Sequence, residues 1–147
     1  NHRLLFATPI LKQDLHLSGY SELTIRLASS RPAANLSVWL VSLPWTEKGK
    51  INANLVTRGW ADPQNQTSLR ESEALIPGEF VELSFTLQPD DQVIPAGQQL
   101  GLMIFSSDRE FTLWPKAGTE LSVDLGGTSL SLPVVGGEAA LKLATEK

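Results

Sequence analysis

Apolar and polar residues alternate with a period of two through much of this chain, and that spacing restricts the fold more than any other feature. Leu23, Ile25 and Leu27 are interleaved with Thr24 and Arg26. In an extended backbone successive side chains point to opposite faces, so the three apolar groups share one side of a half-buried strand. Val81, Leu83, Phe85 and Leu87 alternate in the same way with Glu82, Ser84 and Thr86, and Leu121, Val123 and Leu125 with Ser122 and Asp124. Two further segments, Leu36 to Leu43 and Leu100 to Phe105, are nearly continuous apolar runs. Strands covered on both faces read like that, with a loop or a second domain over the outer side.

Turn residues punctuate these runs at short intervals. Pro89-Asp90-Asp91, Pro95-Ala96-Gly97, Lys116-Ala117-Gly118 and Gly126-Gly127 each join a φ-restricting or φ-permissive residue to small or polar neighbours. Gly126-Gly127, between two alternating segments, predicts a two-residue hairpin. Nine or ten short strands with almost no helical pattern predict an antiparallel sandwich or barrel. Periodicity alone does not separate a jelly roll from an immunoglobulin-like topology. Asp62 to Ile76 is polar and reads as a long connection with one helical turn. The Ala-, Leu- and Lys-rich stretch 138–147 suits either a short helix or a frayed tail.

Composition removes several functional classes. A chain of 147 residues can bury ~70% of its unfolded surface in one core. No apolar run approaches the ~18 to 20 residues of a membrane-spanning helix. The net charge of -4, from 12 basic and 16 acidic residues with no basic cluster, argues against nucleic acid as a partner. Zero cysteines excludes disulfides and thiolate metal sites but leaves the compartment open between cytoplasmic and secreted. The chain starts at Asn1 and its single methionine, Met103, lies deep inside, which reads as an excised piece of a longer protein.

No catalytic group is expected from the motifs. A serine nucleophile needs a strained strand-to-helix turn of the form Gly-x-Ser-x-Gly. Gly127-Thr128-Ser129-Leu130-Ser131 lacks the second glycine and leads into a strand. His2 reads as a polar linker residue, and His16, alternating with Leu15 and Leu17, as a solvated strand residue. Two histidines thirteen positions apart do not have zinc spacing, and neither Asp90-Asp91 nor Asp108-x-Glu110 has the spacing of a calcium loop. No metal and no cofactor are expected. Asn35-Leu36-Ser37 and Asn65-Gln66-Thr67 match a glycosylation pattern that short sequences contain by chance. Four tryptophans, Trp39, Trp45, Trp60 and Trp114, are many for this length. Trp39 is expected to be buried. Trp45 and Trp114, each beside a proline at a strand end, are candidates for exposure. Gly59 before Trp60 suggests a bulge or a close backbone approach.

Several segments, in order and spacing, carry a family likeness. They are Leu55-Val56-Thr57-Arg58-Gly59-Trp60-Ala61-Asp62, Pro77-Gly78-Glu79-Phe80 and Val93-Ile94-Pro95-Ala96-Gly97-Gln98-Gln99-Leu100, then Ser106 to Pro115 and Leu132 to Gly137. Together they resemble the C-terminal β-domain of the Xaa-Pro dipeptidyl-peptidases and their cocaine-esterase-like relatives, over roughly residues 2 to 137. The resemblance implies an all-β jelly-roll sandwich, galactose-binding-domain-like, over 1–137, followed by the 138–147 tail. It implies a non-catalytic piece of a serine hydrolase whose α/β-hydrolase domain and helical cap would be its partners, with peptide substrate reached through the parent and room for a homodimer of that parent. Arg58, Trp60, Trp45 and Trp114 are the candidate contacts with those domains. The chain departs from many relatives in carrying Gln98-Gln99 where they show His-Arg, and Gln92 where they show His. Its 108–115 segment looks more like the peptidase branch than the esterase branch. A stand-alone carbohydrate-binding sandwich would instead line its tryptophans along one solvent face, and an oligomerisation module would self-associate without ligand.

Overall fold

The computed structural model describes residues 3–46 and 51–146. Nine strands are found among them: β1 (Arg3–Ala7), β2 (Leu15–Gly19), β3 (Glu22–Ser29), β4 (Leu36–Leu43), β5 (Leu55–Ala61), β6 (Phe80–Thr86), β7 (Asp90–Ile94), β8 (Gln99–Phe105) and β9 (Leu121–Ser131). The antiparallel pairs nest. β1 pairs with β8, β2 with β7, β3 with β6 and β4 with β5. A long two-stranded ribbon rolled up on itself has this connectivity, and it defines the jelly roll. One layer has the order β1-β8-β4-β5, and another sheet has β6-β3-β9. The chain leaving β9 bridges Leu17 to Val134 and so ties the β2–β7 ribbon to that second sheet.

The alternation read from the sequence decides which side chains face inward. Leu23, Ile25 and Leu27 of β3 meet Leu36, Val38 and Leu40 of β4, with Leu83, Leu100 and Ile104 completing one continuous core. Glu22 and Arg26, between them, face solvent. Burying a leucine or isoleucine stabilises by about 1.5–3 kcal/mol, so this layer of interdigitating aliphatic groups dominates the fold. Gly59 of β5 also faces inward, and a Cβ there would lie 3.1 Å from Leu87 Cα. The glycine is required by close approach of the β5 and β6 backbones.

Two local expectations change. Gly126-Gly127 does not form a hairpin, because β9 runs straight through it. Thr24 pairs with Ser129 but Arg26 with Asp124, so residues 125–128 make a bulge opposite Ile25. Asp124 stabilises the bulge through its Oδ1, which accepts from the Gly126 N–H at 3.0 Å, and through its carbonyl, which accepts from Thr128 Oγ1 at 2.7 Å. Glycine at 127 lets the Arg26 side chain cross it; a Cβ would approach Arg26 Cβ to 2.9 Å. Asp90-Asp91, expected in a turn, begins β7, since pairing with Ser18 and Gly19 supplies backbone partners that no turn would. The 62–79 connection has its helical turn at its start, Pro63–Asn65, where Asp62 caps the Gln64 N–H.

The C-terminal stretch forms helix α1 (Gly137–Thr145). Gly136, with φ of 88°, makes the left-handed step into it. Ala144 is fully buried in the main core, and its carbonyl accepts the Lys12 N–H at 2.9 Å. Its exposed side is braced by Lys142 and Glu138, 2.6 Å apart and one turn removed.

Candidate functional site

The outer face of the β1-β8-β4-β5 sheet is where this molecule departs from an ordinary sandwich. Such a face is normally polar. Here β4 turns Trp39, Val41 and Leu43 outward, where they pack with Met103 of β8 as a second apolar cluster, flanked by Leu55 and Phe105. Trp39 meets Phe105 edge-on at 5.4 Å. Leu5 of β1, opposite Met103, extends the cluster and is exposed.

Arg58 and Trp60 lie at the β5 border of this face, opposite Trp39 and Ser37. The connection from β8 to β9 folds back over them. Its Phe111 stacks on Trp60 at 5.4 Å, and the Arg58 guanidinium is caged by three rings. The guanidinium carbon is 4.2 Å from the centre of Phe111, 5.7 Å from Trp39 and 5.9 Å from Trp60. Each such contact is worth about 0.5–2 kcal/mol, more as water is excluded.

Asp108 anchors the arrangement from below. Only 5% exposed, it accepts through one oxygen, Oδ2, from the Trp39 indole at 3.0 Å and the Trp60 indole at 3.3 Å. Its carbonyl takes the Phe111 and Thr112 N–H groups, winding a turn that places Phe111 over Arg58. Farther along, Asn35 Nδ2 donates to the Leu113 carbonyl. The tip so braced carries Leu113, 87% exposed, and Trp114, 64% exposed, with Arg109 lying 4.6 Å from the Trp114 ring centre.

The candidate residues are thus unequally placed. Arg58 and Trp60 are in direct contact, and Trp114 stands on the loop that covers them. Trp45, 38% exposed, lies beyond the Leu43 end of β4, away from the cage. Trp39 is buried, as its apolar run implied. For two members of the cluster the sequence gives no role: Asp108 is an acid without calcium-loop spacing, and Phe111 belongs only to the 106–115 segment of the family likeness. The partners of Asp108 are 69 and 48 residues away, so no local pattern announces it.

Elsewhere the chemistry is sparse. His16 Nε2 lies 2.5 Å from Asp91 Oδ1 on the surface, a partner the sequence had not indicated. His2 lies outside the described residues. No group of three His, Cys, Asp or Glu positioned to hold a metal occurs among the described residues. A cleft of about 690 Å³ opens between the edge strands β1 and β9, lined by Arg3, Leu4, Ile104, Phe105, Leu121 and Val123 among others; no histidine lines it.

The nested antiparallel pairs and packed sheets make this, as a class, an all-β jelly-roll sandwich. Residues 1–144 match the family model for the X-Pro dipeptidyl-peptidase C-terminal non-catalytic domain, and the chain belongs to that family. It is 62% identical over 143 residues to a putative Xaa-Pro dipeptidyl-peptidase of Rhodopirellula baltica, covering 96% of this chain and 23% of that protein. A putative Xaa-Pro dipeptidyl-peptidase of Bacillus cereus is 38% identical over 134 residues, covering 91% of this chain and 22% of that one. The chain therefore spans less than a quarter of the length of these curated relatives, in which the domain is one part of a larger protein. Among solved structures, an alpha-amino acid ester hydrolase superposes with a TM-score of 0.73 at 16% identity, covering 91% of this chain and 26% of that one. An aminopeptidase from a marine sediment archaeon, Thaumarchaeota archaeon, superposes with a TM-score of 0.74 at 14% identity, with the same coverage. At such identities the likeness concerns the fold.

Proposed function

We propose that this domain is the non-catalytic β-module of a serine-dependent Xaa-Pro dipeptidyl-peptidase. It docks through the outer face of its β1-β8-β4-β5 sheet on the hydrolase part of the same polypeptide and shapes access to the active site. The observation that carries the proposal is the exposed apolar rim of this face, Leu5 of β1 with Phe111, Leu113 and Trp114 on the loop over the Arg58 cage, around a patch in which Trp39, Val41, Leu43 and Met103 are themselves buried. Family membership supplies the occupant, because relatives carry more than three quarters of their length outside this domain. A rigid wall docked beside a hydrolase mouth restricts which chain ends enter without donating a catalytic side chain.

Carbohydrate binding has less support. An open stacking platform needs bare aromatic faces, but Trp39 is buried, Trp60 is covered by Phe111 and Arg58, and Trp114 carries Arg109.

Two measurements on the full-length protein test the reading. It should release dipeptides from peptides with proline in second position, and serine-directed phosphonylating reagents should abolish this. Hydrolysis of simple esters with no action on Xaa-Pro amides would assign it to the esterase branch instead. For docking, a Leu113→Cys thiol in a background otherwise free of cysteine should react with maleimide far more slowly in the native protein than after denaturation. Equal rates would mean that the loop tip is bare and the docking face is wrongly chosen.

A further inference from the structure

The docking face has an unusual charge pattern. Arg3, Arg58 and Arg109 lie on it or on the loop that borders it, and each rests on a soft apolar group. Arg3 points Nη1 at Met103 Sδ, 3.6 Å away, Arg58 sits among three rings, and Arg109 stacks on Trp114. The ion pairs among the described residues are His16–Asp91, Arg26–Asp124 and Lys142–Glu138, so none of these three arginines takes part in one. Asp108, beneath the cage, spends its Oδ2 on the two indoles.

We infer that the surface facing this sheet in the assembled protein is acidic and sets a carboxylate directly against Arg58. The inference rests on the docking proposed above and adds the chemistry of the partner. Aromatic rings occupy the flat faces of the guanidinium and leave its rim of N–H donors without a hydrogen-bond partner among the described residues. While the face is open, water serves those donors. A domain lying on Phe111 and Leu113, 52% and 87% exposed beside the cage, would strip that water, and a desolvated cation without hydrogen bonds is strongly unfavourable. Carbonyls within a docked sheet or helix are already engaged, whereas a carboxylate can accept two parallel N–H bonds from one guanidinium. The pre-stacked arginine loses little side-chain freedom on pairing, which suits it to fix the register of the two domains.

The experiment uses the full-length protein carrying Arg58→Lys, treated with a water-soluble carbodiimide, which joins an amine to a carboxylate only at contact distance. Peptide mapping by mass spectrometry should find residue 58 linked to an Asp or Glu outside these 147 residues. The Leu113→Cys protection measurement is run in parallel. If that thiol is protected while residue 58 is unlinked, or linked only to Asp108, docking stands and the acidic partner is refuted. If the thiol reacts as freely as in denatured protein, the docking proposal falls and takes this inference with it. Should Arg58→Lys fail to fold, Arg109→Lys is carried through the same mapping. An external carboxylate at 109 upholds the acidic surface, and its absence in a protected protein overturns it.

Discussion

Replacing Asp108 with alanine should destabilise the domain by far more than a loop substitution ordinarily does. Surface loop changes cost within about 0.5 kcal/mol. Asp108 is different because two indole N–H groups converge on its Oδ2, one of them from the buried Trp39. A buried donor left without a partner costs about 1–3 kcal/mol, and the half-buried Trp60 donor, which can turn to water, about 0.5–1 kcal/mol. Removing a desolvated carboxylate returns part of this, so the net loss for Asp108→Ala is put at about 2–3 kcal/mol. Asp108→Asn keeps an acceptor oxygen but surrenders the charge-assisted bonds, for about 1 kcal/mol. Urea unfolding of residues 1–147, followed by tryptophan fluorescence and circular dichroism, measures both. A double-mutant cycle with Trp39→Phe sharpens the argument, because in that background Asp108→Ala no longer orphans the buried donor and should cost ~1–2 kcal/mol less. Strict additivity, or an Asp108→Ala midpoint indistinguishable from wild type, would refute the role assigned to this carboxylate.

The other expectations are more compact. Gly59→Ala forces a Cβ to 3.1 Å from Leu87 Cα, against backbone that cannot swing aside, and should cost about 1–3 kcal/mol in the same unfolding assay. The Asp124 carboxyl is held below its ordinary value of 3.8, first by the hydrogen bond from Arg26 and then by the Gly126 N–H. Its folded pKa being the lower one, the stabilisation is fully present above the unfolded value and is lost as pH falls through the folded one. Asp124→Asn should therefore flatten the acid limb of a stability profile taken over roughly pH 2 to 5, and an unchanged limb would discount the pair. Residues 1–147 alone should melt cooperatively with a sheet-dominated circular dichroism spectrum. They should leave Ala-Pro chromogenic amides untouched, and turnover surviving repurification would contradict the absence of a nucleophile.

What the sequence disclosed and what it hid follow from the range of the forces involved. The alternation at 23–27 and 81–87 was legible because inward and outward positions are set by strand geometry alone. The continuous run at 36–43 correctly implied two covered faces: Leu36, Val38 and Leu40 enter the main core, while Trp39, Val41 and Leu43 form the second cluster. Gly126-Gly127 misled because a glycine pair serves a hairpin and a bulge equally well. The choice was made by the pairing of Arg26 with Asp124, a contact 98 residues distant in sequence. Arg58 and Trp60 stood out through the family likeness, yet the cage that gives Arg58 its geometry depends on Phe111 and on a turn wound about Asp108. Polar contacts of that separation leave no periodic trace. The C-terminal stretch, open between helix and tail, became a helix because Ala144 finds a place in the core.

The nested pairing has a consequence for the order in which this domain assembles. Val41 meets Leu55 across a short connection, whereas Arg3 meets Phe105 across most of the chain. Closing a long loop in a single step is slow, since its entropy must be lost before any contact repays it. Nesting avoids that step. Once β4 and β5 have joined, β3 and β6 are already neighbours, then β2 and β7, then β1 and β8, so each long-range pair is reached through a short remaining closure. The ribbon would zip outward from its innermost hairpin and come undone in reverse. Amide hydrogen exchange should follow the same gradient, with slow exchange in β4 and β5 and the fastest strand exchange in β1, whose five residues are all exposed. The strand that folds last is also the one by which any preceding domain would be tethered.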